Sequence, residues 1–284
     1  MLSYSIITPV KNEIQHFTKT FESVCSQSFK PIEWIIVDDG SSDGTKQLIN
    51  ELVSEHNWIV VLDAPNLKQN DYSSRVIDLF NYGYNFLSIK VDLICKLDAD
   101  VSFNIFFFQN IQQLFIENTQ LAITSGLLHT NGIAEKFDND HEVCTRGATK
   151  VYRRSFLEEI GGLVSYQGWD TLDNVAARAK GWQVMQSLEP FEHLKKEGAR
   201  VGKLSFQYIR TGFYNGALPF YTPYFIIKLV SKFFKKPIIL GSFYLLYGFL
   251  KAKMSDSKSP YPEYMIKQLR SEQKAFLLKK VKLV

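Results

Sequence analysis

Apolar runs rich in β-branched residues recur along the first half of the chain: SYSIITPV (3–10), WIIVDD (34–39), WIVVLD (58–63), DLICKLDAD (92–100) and LAITSGLL (121–128). Each is nearly continuous, which is the pattern of a strand covered on both faces. Between them the period changes. Ile14, Phe17, Phe21, Val24 and Cys25 recur at three- and four-residue steps, as do Leu48, Ile49, Leu52 and Val53, and this spacing predicts helices with one apolar face. The second helix follows DGSSDGT (39–45), a cluster of turn and capping residues. Its Asp-Gly step is also a hairpin signal, but a helical pattern follows it, so a strand-to-helix turn is expected. Strands alternating with helices predict crossover connections, hence an α/β three-layer sandwich around a mostly parallel central sheet.

In such sheets ligands bind beyond the carboxyl ends of the strands. Polar residues collect there: TPVKNE (8–13) after the first strand, DDGSSD (38–43) after the second and Asp98-Ala-Asp100 after the fourth. Asp98 and Asp100 stand at i and i+2, so on a strand they point the same way and repel each other. A divalent cation, Mg²⁺ or Mn²⁺, held by a carboxylate or two and by phosphate oxygens would remove the conflict. For a DxD taken alone, a solvated strand end is the alternative. Asp39 is expected to face the ligand edge, where a carboxylate accepts a base N–H or a ribose hydroxyl. Asp38, Asp43 and the neighbouring serines suit turn formation and capping. No GxGxxG follows the first strand and no GxxxxGK[ST] occurs, which leaves dinucleotide dehydrogenases and P-loop enzymes unsupported.

After residue 195 the pattern changes. The stretch 219–253 is aromatic, apolar and studded with lysines (Lys228, Lys232, Lys235, Lys236, Lys251, Lys253), and its longest uncharged run, Pro237 to Leu250, has 14 residues. A spanning helix needs about 20 apolar residues, so an interfacial or re-entrant segment is expected. The 284 residues are 45% hydrophobic and 22% charged, enough for one large domain with an appendage. The net charge of +4 is unevenly spread: residues 1–194 hold 15 Lys/Arg against 25 Asp/Glu, and residues 195–284 hold 18 against 4. A basic tail on an acidic body suits an anionic partner, a membrane surface or nucleic acid, and a solvated basic helix pair is the alternative. Cys25, Cys95 and Cys144 are odd in number with no CxxC, so neither a disulfide framework nor a zinc site is expected, and a reducing compartment is the simpler reading. The first ten residues, MLSYSIITPV, lack the basic and long apolar regions of a secretory signal.

Five segments occur in order: SIITPVKNE (5–13), SVCSQSFKPIEWIIVDDGSSDGT (23–45), KLDAD (96–100), ATKVYRRSFLEEIGGL (148–163) and GWDTLDNVAARAKGW (168–182). Together, over roughly residues 3–195, they resemble the family 2 glycosyltransferases with the nucleotide-diphospho-sugar transferase fold called GT-A. The resemblance implies inverting, metal-dependent transfer of a sugar from a nucleotide-diphospho-sugar to a hydroxyl acceptor, a lipid-linked or surface glycan or glycolipid. It implies Pro9, Lys11, Asp39 and Arg75 around the nucleoside, Asp98 and Asp100 on the ribose, diphosphate and metal, and His193 as a third metal ligand. Arg146 would line the acceptor side. For Arg75 and Arg146 a surface arginine is the alternative, and for His193 a structural histidine. Asp170 and Asp173 compete for the role of base. The eleven residues from Asp170 to Gly181 fit the family spacing, against eight from Asp173, which favours Asp170; a capping box formed by the two aspartates is the alternative. Trp169 stands where the family carries an acidic residue.

The expected organisation is a glycosyltransferase domain over 1–215 and a basic, aromatic tail of amphipathic helices over 216–284. The tail would rest on an anionic membrane surface, not nucleic acid, at the inner face of the cell membrane. A sugar-1-phosphate nucleotidyltransferase would need a Gly-rich basic loop after the first strand, and TPVKNEI is not one. A non-catalytic sugar-nucleotide-binding scaffold is the rival from another class.

Overall fold

The first four strands form where the apolar runs predict them: β1 (Tyr4–Val10), β2 (Glu33–Asp38), β3 (Ile59–Asp63) and β4 (Leu93–Leu97). They belong to a computed structural model that describes residues 1–64, 72–130, 132–135, 145–166, 168–195, 204–218, 220–233, 239–255 and 259–281. The chain divides into two units, Met1–Asn139 with Val143–Lys196, and Asp140–Glu142 with Glu197–Val284.

In the first unit the strands run in the order β3-β2-β1-β4-β8-β6-β9-β5. The later ones are β5 (Val101–Phe103), β6 (Leu121–Thr130), β7 (Ile133–Ala134, paired with β6), β8 (Thr149–Arg153) and β9 (Gln183–His193). Pairing is parallel across β3-β2-β1-β4 and between β6 and β9, whereas β8, β7 and β5 pair antiparallel to their neighbours. The helices are α1 (Phe17–Cys25), α2 (Thr45–Val53), α3 (Tyr72–Asn85), α4 (Phe107–Glu117), α5 (Arg154–Ile160) and α6 (Trp169–Ala179).

Both faces of the sheet are covered, as continuous apolar strands require. Ile6, Trp34, Ile36 and Cys95 face one layer with Phe17, Phe21 and Val24 of α1 and Phe107 and Ile111 of α4. The Trp34 indole stacks on Phe17, Phe21 and Trp58, and its N–H donates to Thr8 Oγ1 at 2.9 Å, so this large buried side chain leaves no polar atom unsatisfied. On the opposite face α3 comes so close that a Cβ on Gly83 would lie 2.8 Å from the Ile7 side chain. Cys25 and Cys95 are free thiols, and Cys144 lies outside the described residues.

One local difference from the sequence pattern matters for the site. Ile14 does not join α1 and is exposed. The Glu13 N–H donates to Thr45 Oγ1 and the Ile14 N–H to Asp43, so this segment is tied to the turn between β2 and α2. Asn12 takes a positive φ of 55° to make the bend. The loops after β1 and β2 are thereby fastened together at the carboxyl edge of the sheet.

The second unit holds α7 (Leu204–Ala217), α8 (Thr222–Phe233), α9 (Leu240–Met254) and α10 (Glu263–Val281). The division near 196 places α7 here, ahead of the expected boundary at 215, and the cause is a glycine seam. A Cβ on Gly212 would sit 1.9 Å from the Leu245 carbonyl oxygen, and one on Gly248 1.9 Å from that of Ile209, so α7 and α9 touch backbone to backbone. Phe225 of α8 stacks on Phe249 at 4.0 Å, and Ser242 donates to the Leu229 carbonyl at 2.9 Å. The expected amphipathic character fails on α9: Gly241, Leu245, Gly248 and Ala252 are buried, yet the opposite positions Leu240, Phe243, Tyr247, Leu250 and Met254 are apolar and exposed. Among the described residues no helix is long and apolar enough to cross a membrane.

Gly212→Ala is expected to break this seam at the overpacking cost of about 1–3 kcal/mol or more, because the obstacle is backbone and cannot rotate away. Limited proteolysis would then cut the 204–255 segment earlier than in wild type while residues 1–195 stay protected. Unchanged cleavage would refute the packing.

Candidate active site

The strand order turns at β1, whose neighbours are β2 on one side and β4 on the other. The crevice beyond such a switch point is where open α/β sheets take ligands. From its β2 side comes Asp39, which accepts from Arg75 Nε at 2.9 Å and from Lys11 Nζ at 3.3 Å. Three predicted residues, separated by up to 64 positions in sequence, therefore meet in one cluster beside half-buried Pro9. Asp38 instead turns inward to Ser41, and Asp43 accepts from the Thr45 N–H and hydroxyl, the turn and capping roles expected of them.

From the β4 side come Asp98 and Asp100, joined by a residue the sequence reading did not single out. Glu13, just past β1, is buried near both aspartates. Each carboxylate carries its own basic partner: Lys96 on Asp98, Lys195 on Glu13, and His193 Nδ1 at 3.7 Å from Asp100. The antiparallel pairing of β5 with β9 sets Val101 opposite His193, which delivers the histidine to Asp100. Burial pushes the Asp100 carboxyl up, but His193, Lys195 and Lys96 outweigh it and hold it below the usual carboxylate range. Burial pushes Glu13 up; Lys195 opposes, while Asp100 and Asp98 add to the rise. Glu13 Oε2 is buried with no hydrogen-bond partner in the structure.

Among the described residues no group of three or more His, Cys, Asp or Glu is arranged to hold a metal ion. Hard divalent ions are commonly held by one or two carboxylates and substrate phosphates. Asp100 with His193, next to Asp98 and the orphaned Glu13 oxygen, fits that kind of site.

The third part is the start of α6. Trp169 is buried, and its ring lies 5.3 Å from Lys96 Nζ and 5.4 Å from Lys150 Nζ. Two buried ammonium groups thus meet an aromatic face where the resembling family has a carboxylate. Lys96 also donates to the Gly147 carbonyl at 3.0 Å, linking Asp98 to the loop after Arg146. A Cβ on Gly147 would meet the Trp169 ring at 3.0 Å. Arg146 itself pairs with Glu135 at 3.2 Å.

The two rival aspartates part company here. Asp173 is buried, held by Lys150 Nζ at 2.8 Å from each carboxylate oxygen and by the Tyr152 hydroxyl at 2.6 Å. Burial pushes its carboxyl up against the pull of Lys150 and Tyr152. Asp170 is exposed on the first turn of α6, while its main-chain carbonyl accepts from Lys150 Nζ at 2.5 Å and Asn174 Nδ2 at 2.7 Å. The capping-box alternative does not form: the N-cap is Gly168, at φ 82°, with no side-chain cap. In the sequence Lys96 stands as the lone charge of LICKL, and Lys150 shares TKVYR with Arg153, so neither pattern shows its partner.

The chain has relatives in sequence and in fold. An undecaprenyl-phosphate 4-deoxy-4-formamido-L-arabinose transferase from Serratia proteamaculans is 29% identical over 100 residues, covering 34% of this chain and 28% of that enzyme. The chain spans less than a third of the length of the curated relatives it matches. In fold it is similar to the mannosyltransferase PcManGT from Pyrobaculum calidifontis in complex with GDP-Man and Mn²⁺, with a TM-score of 0.59 at 14% identity over 99% of this chain and 87% of that one. It is also similar to S. aureus TarS in complex with UDP-GlcNAc, with a TM-score of 0.55 at 16% identity over 97% of this chain and 81% of that one. The profile of glycosyl transferase family 2 matches residues 5–162, more than half of the chain, and the chain belongs to that family.

Proposed function

We propose that the protein transfers a sugar from a nucleotide-diphospho-sugar to a hydroxyl of a lipid-linked or surface glycan, with inversion, on a membrane surface. The observation that carries this reading is the meeting of Asp98, Asp100 and Glu13, each beside a basic group, at the β1/β4 crevice, with Lys96 reaching on to Gly147, where an added Cβ would lie 3.5 Å from that of exposed Asp170. Asp39, Arg75, Lys11 and Pro9 bind the nucleoside, and Asp98 faces the ribose and diphosphate. Asp100, His193 and Asp98 would hold Mg²⁺ or Mn²⁺. A bound divalent ion would neutralise charge developing on the leaving diphosphate. Asp170 takes the proton of the acceptor hydroxyl as its oxygen bonds to the anomeric carbon, and the nucleoside diphosphate departs from the opposite face. Arg146 lies on the acceptor side. The relative from Serratia, named for an undecaprenyl-phosphate substrate, favours a lipid-linked acceptor. The exposed apolar residues of α8 and α9 and the excess of lysine over acid in residues 216–284 favour a tail lying on an anionic membrane, at the inner face of the cell membrane.

A panel of nucleotide sugars tests the assignment through thermal stabilisation, since a ligand bound only to the native state raises stability by mass action. One donor is expected to stabilise the wild type only with Mn²⁺ or Mg²⁺ present. Asp100→Asn should keep the melting temperature of the free protein and lose the metal-dependent increment. An equal increment in wild type with excess chelator would overturn the metal role.

A further inference from the structure

A cavity of about 610 Å³ lies in the second unit between the start of α8 and one face of α10. Lys267, Arg270, Ser271 and Lys274 line it at three- and four-residue steps, and Tyr221 and Thr222 close it from α8. Among the described residues no acidic side chain lines it. Glu263 stands one turn before Lys267 and pairs with it at 2.9 Å, and Arg270 and Lys274 follow on the same exposed face of α10. The first turn of α8 adds the positive end of a helix dipole.

The cavity is a built feature. The Tyr221 N–H donates to Gln273 Oε1 at 2.8 Å, and Gln273 is only 2% exposed, so the start of α8 is pinned to α10. Behind the pin, Tyr224 stacks on Phe220 and meets Phe276 edge-on at 6.0 Å. From Thr222 at the mouth, Ile226 and Val230 follow at four-residue steps, 53% and 55% exposed. Cationic and hydroxyl groups thus run directly into an exposed apolar stripe. That sequence of chemistry suits an amphiphile with an anionic head and an apolar tail.

We infer that this cavity receives the phosphate headgroup of an anionic membrane lipid while α8 lies along the acyl region. The inference rests on the membrane-associated reading of the tail and gives it a discrete site. Diffuse attraction would depend on how many charges the tail carries, whereas a site makes their position decisive.

The test is flotation of the full chain with phosphatidylcholine vesicles, with and without a phosphatidylglycerol fraction. Wild type is expected to float with the anionic vesicles. Arg270→Gln with Lys274→Gln, two exposed substitutions that should leave the circular dichroism unchanged, is expected to lower that partition roughly tenfold. Lys251→Gln with Lys253→Gln removes the same charge from α9 and is expected to lower it clearly less. Equal losses from the two pairs would overturn the site and leave membrane binding standing. A wild type that floats with neither vesicle would overturn the membrane reading as well. Release of the bound protein by soluble glycerophosphate at constant ionic strength would reassign the cavity to free phosphates and overturn the lipid assignment.

Discussion

Asp170→Asn is expected to bind nucleotide sugar as wild type does and to lose transfer by a factor of about a hundred or more, the usual contribution of a general base. Two carboxylates three residues apart on α6 have opposite surroundings, and the proposed choice of Asp170 rests on that contrast. Asp173 is enclosed by Lys150, Tyr152 and the helix itself, so neither oxygen is open to an acceptor. Asp170 has its backbone fixed by Lys150 and Asn174 and its side chain exposed. Because the loss lies in proton transfer, it should appear in kcat while KM for the donor is unchanged. Near-normal transfer by Asp170→Asn would remove the assignment, and an inactive but fully folded Asp173→Asn beside it would reverse it.

The sequence made some of this legible and hid the rest for physical reasons. The parallel strands were plain because a strand buried on both faces has almost no polar interruptions, as in WIIVD of β2. β9 was invisible because QVMQSLEPFEH is largely half-exposed, carries Pro190 and pairs through a register shift with β6. β5 has three residues, too few for any period to show. Strand-end carboxylates announced the crevice, but their basic partners did not. Lys195 lies 182 positions from Glu13, and only the fold brings them together. The packing of α7 on α9 was hidden because nothing in a helix's own period marks Gly212 and Gly216 as a contact surface. Trp169 looked like a loss from the motif, and in the structure its ring faces two lysines that would otherwise be buried against no π-surface or carboxylate on that side.

Those lysines set the largest expected effect on stability. Lys150 is fully buried, and its ammonium binds both oxygens of Asp173 and the Asp170 carbonyl. Lys150→Met fits the space but leaves a carboxylate in the interior without its cation. Removing one partner of a buried pair costs about 3–5 kcal/mol. For a unit of this size that corresponds to a melting temperature lower by on the order of 10 °C. The deficit has a defined pH dependence. Without Lys150, burial and the nearby Asp170 are opposed only by the Tyr152 hydrogen bond, and the folded-state value of Asp173 rises further above the unfolded one. The folded variant then binds more protons than the unfolded chain, so its stability falls as pH rises and partly recovers on acidification. Replacing both partners, Lys150→Met with Asp173→Leu, should recover much of the loss, because two apolar groups of similar size need no solvation. The recovery stays incomplete while the Tyr152 hydroxyl lacks its acceptor, at about 1–3 kcal/mol for a buried unsatisfied group. Adding Tyr152→Phe should remove that remainder. Thermal melts of the single, double and triple variants across the acid-to-neutral range measure each step, and a Lys150→Met protein that melts with wild type at neutral pH would show that Asp173 is not held there as a charge.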